Sequence, residues 1–167
     1  MAPPEIDTAV GDVERVLLDT SALIAFHNPL ERAHPLAKHL LRRVESDDDP
    51  LHGYYSVLSA SELLIRPIRS GVENLALMHA FLTTFPHLTV LPMDLTVAVE
   101  AATIRAATGI RLPDAVVIAS GLLAGCEAII SNDEQWQQRL ARLFPRFRWI
   151  YLGSHSPQAR GLVDDAT

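Results

Sequence analysis

At 167 residues, with 49% apolar and 20% charged side chains, the chain has the length and hydrophobic content of one globular domain and is too apolar for disorder. No apolar run approaches the roughly 20 residues that a membrane span requires, and the acids and prolines before Val13 do not make the basic-then-apolar pattern of a signal peptide. The net charge of −6 argues against a nucleic-acid ligand as a sum, although a few acids gathered in one pocket would account for much of it.

Residues 1–13 read as a loose leader. Arg15-Val16-Leu17-Leu18 is a short buried strand ending at Asp19, and Asp19-Thr20-Ser21 starts a helix that Ala22 to Phe26 continue. Residues 31–46 have helical spacing and stop at Asp47-Asp48-Asp49-Pro50, a solvated turn. Residues 53–58 form a second strand. Ser59-Ala60-Ser61-Glu62 opens a helix that Pro67 bends or ends. Residues 71–84 are helical, and 88–91 form a third strand closed by Pro92. Asp94 caps a helix through Ala107 that Gly109 stops. Leu112-Pro113-Asp114 begins another helix, running to Leu123, with proline in the first turn where its missing N–H does no harm. A fourth strand covers 126–131, a helix 134–143 and a fifth strand 148–152; the tail after Gly153 reads as frayed.

Short apolar strands alternating with helices predict an α/β fold with a mostly parallel sheet of about five strands and helices on both faces. Ligands of such sheets sit beyond the carboxyl ends of the strands. Asp19 and Asp133 fall at such ends, while Glu62 and Asp114 fall near helix starts. Four converging carboxylates repel one another unless a cation intervenes. A hard divalent ion with oxygen ligands, Mg²⁺ or Mn²⁺, suits them, and the sequence lacks the Cys/His spacing of a zinc site. Each acid alone also fits a structural role: Asp19, Asp114 and Asp133 as helix caps or dipole partners, Glu62 in a capping box with Ser59.

The segments Leu17-Leu18-Asp19-Thr20-Ser21-Ala22-Leu23, Ser59-Ala60-Ser61-Glu62-Leu63-Leu64, Leu112-Pro113-Asp114-Ala115 and Ser131-Asn132-Asp133 resemble, in order, the acidic motifs of PIN domains, and most closely those of VapC-type toxins of toxin–antitoxin pairs. The resemblance spans about 16–152. It implies a single PIN domain, a three-layer α/β/α sandwich, acting as an endoribonuclease dependent on Mg²⁺ or Mn²⁺. It assigns Asp19, Asp114 and Asp133 to the metal and Glu62 to a water as base or orienter. Ser131 stands where the family more often has threonine and contributes its hydroxyl. Many relatives carry a further acid where this chain has Gln135, which leaves one- and two-metal schemes open. Attack by metal-activated water would leave a 5′-phosphate and a 3′-hydroxyl. The resemblance also implies a cognate antitoxin protein that covers the pocket, and a homodimer formed through helices between Glu31 and Thr84.

The alternative is a PIN-like module that binds RNA or protein with little or no nuclease activity. A receiver domain would need a late lysine, but Lys38 is the sole lysine; a dehalogenase-type phosphatase would need an acid at Ser21. Arg66 and Arg69 are either phosphate contacts or solvated, and Arg139, Arg142, Arg146 and Arg148 either steer RNA or balance the acids. His27 is expected to pack, Trp136 and Trp149 to lie in the core, and the lone Cys126 to be an inert hydrophobe. With no disulfide possible within the chain, a cytoplasmic location is expected.

Overall fold

The computed structural model describes residues 4–155. In chain order the elements are α1 (Pro4–Val10), β1 (Arg15–Leu18), α2 (Thr20–His27), α3 (His34–Glu45), β2 (His52–Ser56), α4 (Val57–Ser70), α5 (Val72–Thr84), β3 (Leu88–Leu91), α6 (Leu95–Thr108), α7 (Leu112–Leu123), β4 (Ala128–Ser131), α8 (Glu134–Leu140) and β5 (Arg148–Tyr151), followed by a 3-10 turn over Leu152–His155. All five strands are parallel, in the order β3-β2-β1-β4-β5. The chain therefore builds outwards from β1 to β3, then returns to the other side of β1 for β4 and β5. The seam between β1 and β4 is the switch point at which a doubly wound sheet opens a crevice.

Successive strand side chains point to opposite faces, and both faces are apolar. Val16, Leu18, Ala128, Ile130 and Ile150 join the core under α1 to α5. Leu17 and Ile129 join a second core under α6, α7 and α8. The result is the expected α/β/α sandwich. Gly121 lets α7 lie close against the sheet: a Cβ there would stand 2.6 Å from Leu17 Cδ2.

Three expectations need correction. The segment read as a loose leader contains α1, whose Ile6 and Val10 are fully buried against the first core. Asp7 fastens it to α3 through His39 Nε2 (2.8 Å) and Arg43 Nη1 (3.1 Å). Second, α4 starts at Val57, not Ser59, because Ser56 ends β2 and its Oγ accepts from Leu58 N at 3.3 Å. Ser59 is instead fully buried and accepts a hydrogen bond from Thr20 Oγ1 at 2.9 Å, so it forms no capping box with Glu62. Third, of the two outcomes expected at Pro67, bending or ending the helix, the second does not occur, and α4 continues to Ser70. The missing N–H leaves only the Leu63 carbonyl without its usual donor, while the proline ring itself is buried. The tail beyond His155 lies outside the described residues.

Candidate metal centre at the sheet switch point

Asp19 follows β1 directly and caps α2. Its backbone N–H donates to Ile130 O at 3.0 Å, which ties it across the β1–β4 seam. The side chain is buried, 5% exposed, and three donors converge on Oδ2: Ser21 N at 3.3 Å, Ser21 Oγ at 2.6 Å and Ser131 Oγ at 3.1 Å. Each hydroxyl has one proton. With both directed at Asp19, the hydroxyl oxygens are left to accept, Ser21 Oγ from Asn132 N at 2.8 Å and Ser131 Oγ from Asp133 N at 3.0 Å. A buried carboxylate, two hydroxyls and the turn after β4 thus form one network. Burial outweighs these donors and raises the Asp19 pKa above its ordinary range.

Asp133 leaves that turn as the N-cap of α8, accepting from Gln135 N at 2.9 Å. Asp114 occupies the third position of α7, two residues after the helix start. Its pKa is raised, first by burial and then by the negative charges of Asp133 and Glu62, while Arg111 and Arg139 pull it down. Asp114 and Asp133 line the same cleft of about 140 Å³ with Arg111, Gln135, Arg139 and an apolar floor of Ile110, Trp136 and Leu140. Glu62 lies on α4, which touches both α2 and α7. It is exposed, in the second turn of its helix and not the first as expected.

The four acids therefore gather at one edge of the sheet, but unequally. Asp114 is within the fields of Glu62 and Asp133, whereas Asp19 and Glu62 do not line the cleft. Among the described residues no three His, Cys, Asp or Glu side chains are grouped so that they could together hold a metal ion as they stand. The donors that are present suit a hard cation that keeps several waters: carboxylate oxygens, two of them with raised pKa values that a positive charge would relieve.

Two residues with a place in the site had no role assigned from sequence. Ser21 bridges Asp19 to the turn after β4; its position two residues after an N-cap aspartate was the available signal. Arg111 lines the cleft immediately before the Leu112-Pro113-Asp114 motif. His27, as expected, packs edge-on against Phe26 and Phe81, with ring centroids at 4.9 and 4.4 Å.

The fold defines the class: a doubly wound parallel α/β sheet, in which ligands sit at the switch point that these acids flank. The chain belongs to the PIN domain family, whose model matches residues 16–143. No curated protein matches the sequence. Among solved structures, a toxin–antitoxin complex from Klebsiella pneumoniae has a chain with 18% identity and a TM-score of 0.61, over 82% of this chain and 97% of that one. FitAcB from Neisseria gonorrhoeae is similar at 17% identity and a TM-score of 0.60, with 83% and 98% covered. VapC20 from Mycobacterium tuberculosis, described as a toxin cleaving the sarcin–ricin loop, is similar at 20% identity and a TM-score of 0.56, with 74% and 93% covered. At these identities the likeness is one of fold.

Proposed function

We propose that this chain is an endoribonuclease that depends on Mg²⁺ or Mn²⁺ and serves as the toxin of a toxin–antitoxin pair. The observation that carries the reading is Asp114 and Asp133 in one cleft at the sheet's carboxyl edge, with Glu62 close enough to raise the Asp114 pKa and Asp19 buried at the seam. Such a cluster holds charge that only a cation or protons offset. The family membership supports the same reading, as do two similar folds described as a toxin–antitoxin complex and as a toxin.

Asp19, Asp114 and Asp133 would hold the ion. When bound, it would lower the pKa of a coordinated water and offset charge on the phosphate oxygens. Ser131 and Ser21 fix the Asp19 carboxylate, and Ser131 also fixes the backbone from which Asp133 projects. Glu62, exposed and within the field of Asp114, would orient or deprotonate a water. Incubating total RNA with the full chain and Mg²⁺ tests this reading. Asp19→Asn and Asp114→Asn should abolish cleavage, and fragments should carry 5′-phosphates. Wild-type rates in either variant would make the metal-nuclease reading wrong, and RNA binding without cleavage by the wild type would favour the PIN-like binding module.

A homodimer and an antitoxin partner belong to the same proposal. Ile65, Ile68, Val72 and Leu77 on α4 and α5 are 51% to 83% exposed, a run of large apolar side chains outside the core. Light scattering of the purified chain should give twice the 18.3 kDa monomer mass. Growth arrest on expression should be relieved by the product of an adjacent small gene. No helix among the described residues is long and apolar enough to cross a membrane, and a cytoplasmic site of action is proposed with the rest.

A further inference from the structure

Of the twelve arginines among the described residues, four are held by the fold and eight, Arg111 and Arg139 with Arg32, Arg42, Arg66, Arg69, Arg142 and Arg146, have a guanidinium with no ion pair or hydrogen bond there. Arg15 donates to Ala124 O and lies over the Tyr54 ring, Arg43 pairs with Asp49 and Asp7, Arg105 donates to Ile110 O, and Arg148 donates to Val10 O and Asp12. These guanidiniums are committed to the fold. Arg111 and Arg139 are not: both are exposed, and neither guanidinium has an ion-pair or hydrogen-bond partner among the described residues.

Both nevertheless line one cavity. Arg111 stands immediately before α7, three residues ahead of Asp114, and Arg139 stands one turn beyond Gln135 on the facing side of α8. Ile110, Trp136 and Leu140 floor the space between them, and Asp114 and Asp133 share its wall. The side chains of Asp114 and these two arginines interact electrostatically without closing into a salt bridge. Two guanidiniums without an ion pair, over an apolar floor, make the arginine side of this cleft a suitable receptor for an anion, beside the carboxylates that would hold the cation. The planar fork of arginine matches a phosphate through two parallel N–H donors.

We propose that Arg111 and Arg139 form a clamp, in the cleft between α7 and α8, for an RNA backbone phosphate adjacent to the bond addressed by the acids. The inference rests on the ribonuclease reading and names how that site holds its substrate. The clamped phosphate is a neighbour of the scissile one, because the scissile phosphate belongs against the acids and their cation. The two arginines, on separate elements, fix the strand's direction through the site. They also supply positive charge beside the acids of a chain whose net charge of −6 would otherwise repel RNA.

The test uses the full chain and a short single-stranded RNA in Mg²⁺ buffer. It measures kcat and KM for cleavage, and binding by anisotropy across a salt series on an Asp114→Asn background. Arg111→Ala and Arg139→Ala should each raise KM about tenfold with kcat within about twofold, since a flanking contact contributes binding shared by ground and transition states. Each should also reduce the slope of log affinity against log salt by about 0.7, the value for one phosphate contact on a single strand. Arg→Lys variants should keep most of the slope and lose less affinity. Arg42→Ala, an exposed arginine on α3 across the sheet, is the control and should change neither.

Unchanged KM and slope in both alanine variants of a wild type that cuts RNA would overturn the clamp and leave the ribonuclease reading intact. A wild type that binds RNA with this arginine-dependent slope but does not cut it would overturn the ribonuclease reading and support the clamp. Loss of binding to poly-glutamate with RNA binding unaltered would assign the arginines to an acidic protein partner and overturn the proposal.

Discussion

Ser131 Oγ donates to Asp19 Oδ2 at 3.1 Å across the seam between β1 and β4, and the same oxygen accepts from Asp133 N at 3.0 Å. One hydroxyl thereby links two acids that follow different strands and cap different helices. Ser131→Ala removes both bonds at a site that is 3% exposed. The expected loss is about 1–3 kcal/mol of stability, since a backbone donor and part of a carboxylate lose their partner. Urea denaturation measures it. RNA cleavage should fall by more than the folded fraction does, because Asp19 and Asp133 lose their common anchor. Ser131→Thr, which keeps the hydroxyl, should retain most of the activity.

Asp19→Asn should stabilise the metal-free protein while it abolishes cleavage. The Asp19 pKa is raised by burial, so the folded chain prefers the neutral carboxyl. A raised folded value makes this residue's contribution fully favourable below the ordinary 3.8, and that contribution is lost as pH rises through the folded value. The advantage of the asparagine variant should therefore be absent near pH 3 and grow with pH until the aspartate is fully ionised. Thermal melts in EDTA follow it, with about 2–4 °C for each kcal/mol. Mg²⁺ should raise the midpoint of the wild type and leave the variant unmoved.

How far the site could be read from sequence follows from the kind of signal each part left. Asp19, Asp114 and Asp133 are capping or first-turn acids whose motifs stand at element boundaries, and boundaries are marked locally by turn chemistry. The five strands and their parallel arrangement follow from short apolar runs between helices. Glu62 was read one turn too early because Ser59 looks like an N-cap. Only the tertiary bond from Thr20 Oγ1 shows that Ser59 is buried instead. The α1 helix left almost no trace, since a seven-residue helix contributes two buried apolar residues and no period long enough to detect. Arg111 and Arg139, 28 residues apart in sequence, meet only through the packing of α7 and α8.

The electrostatic coupling around Asp114 makes predictions of opposite sign. Glu62→Gln and Asp133→Asn each remove a negative neighbour and should lower the Asp114 pKa; Arg111→Ala removes a positive one and should raise it. The side-chain carboxyl ¹³C shift of Asp114, titrated without divalent ions, reports all three. If Glu62→Gln left that titration unmoved, Glu62 would be too distant to share a water with Asp114.

Cys126 is buried beside β4, and burial pushes its thiol up to about 12. The thiolate is the nucleophile, so a thiol with this pKa is almost wholly protonated at pH 8. The native protein should not react with a disulfide reagent at pH 8, and one equivalent should react after unfolding in guanidinium. Rapid labelling of the native chain would contradict the packing of Cys126 in the second core.

The N-terminal helix gives the remaining prediction, which separates stability from activity. Ile6 and Val10 are fully buried in the core under α1 to α5, whereas the acidic cleft is floored by Ile110, Trp136 and Leu140 of the core on the other side of the sheet. Ile6→Ala should therefore cost about 2–5 kcal/mol, the usual range for truncating a buried isoleucine. Its cleavage rate, assayed well below the lowered melting temperature, should match the wild type, because no residue of α1 lines the cleft. Asp7→Asn should cost less, since the Asp7 carboxylate is 44% exposed and its bonds to His39 and Arg43 are screened by solvent. A small effect of Ile6→Ala would return α1 to the loose leader that its sequence suggests, and a large effect on cleavage at full folding would mean that the two faces of the sheet are coupled through β1.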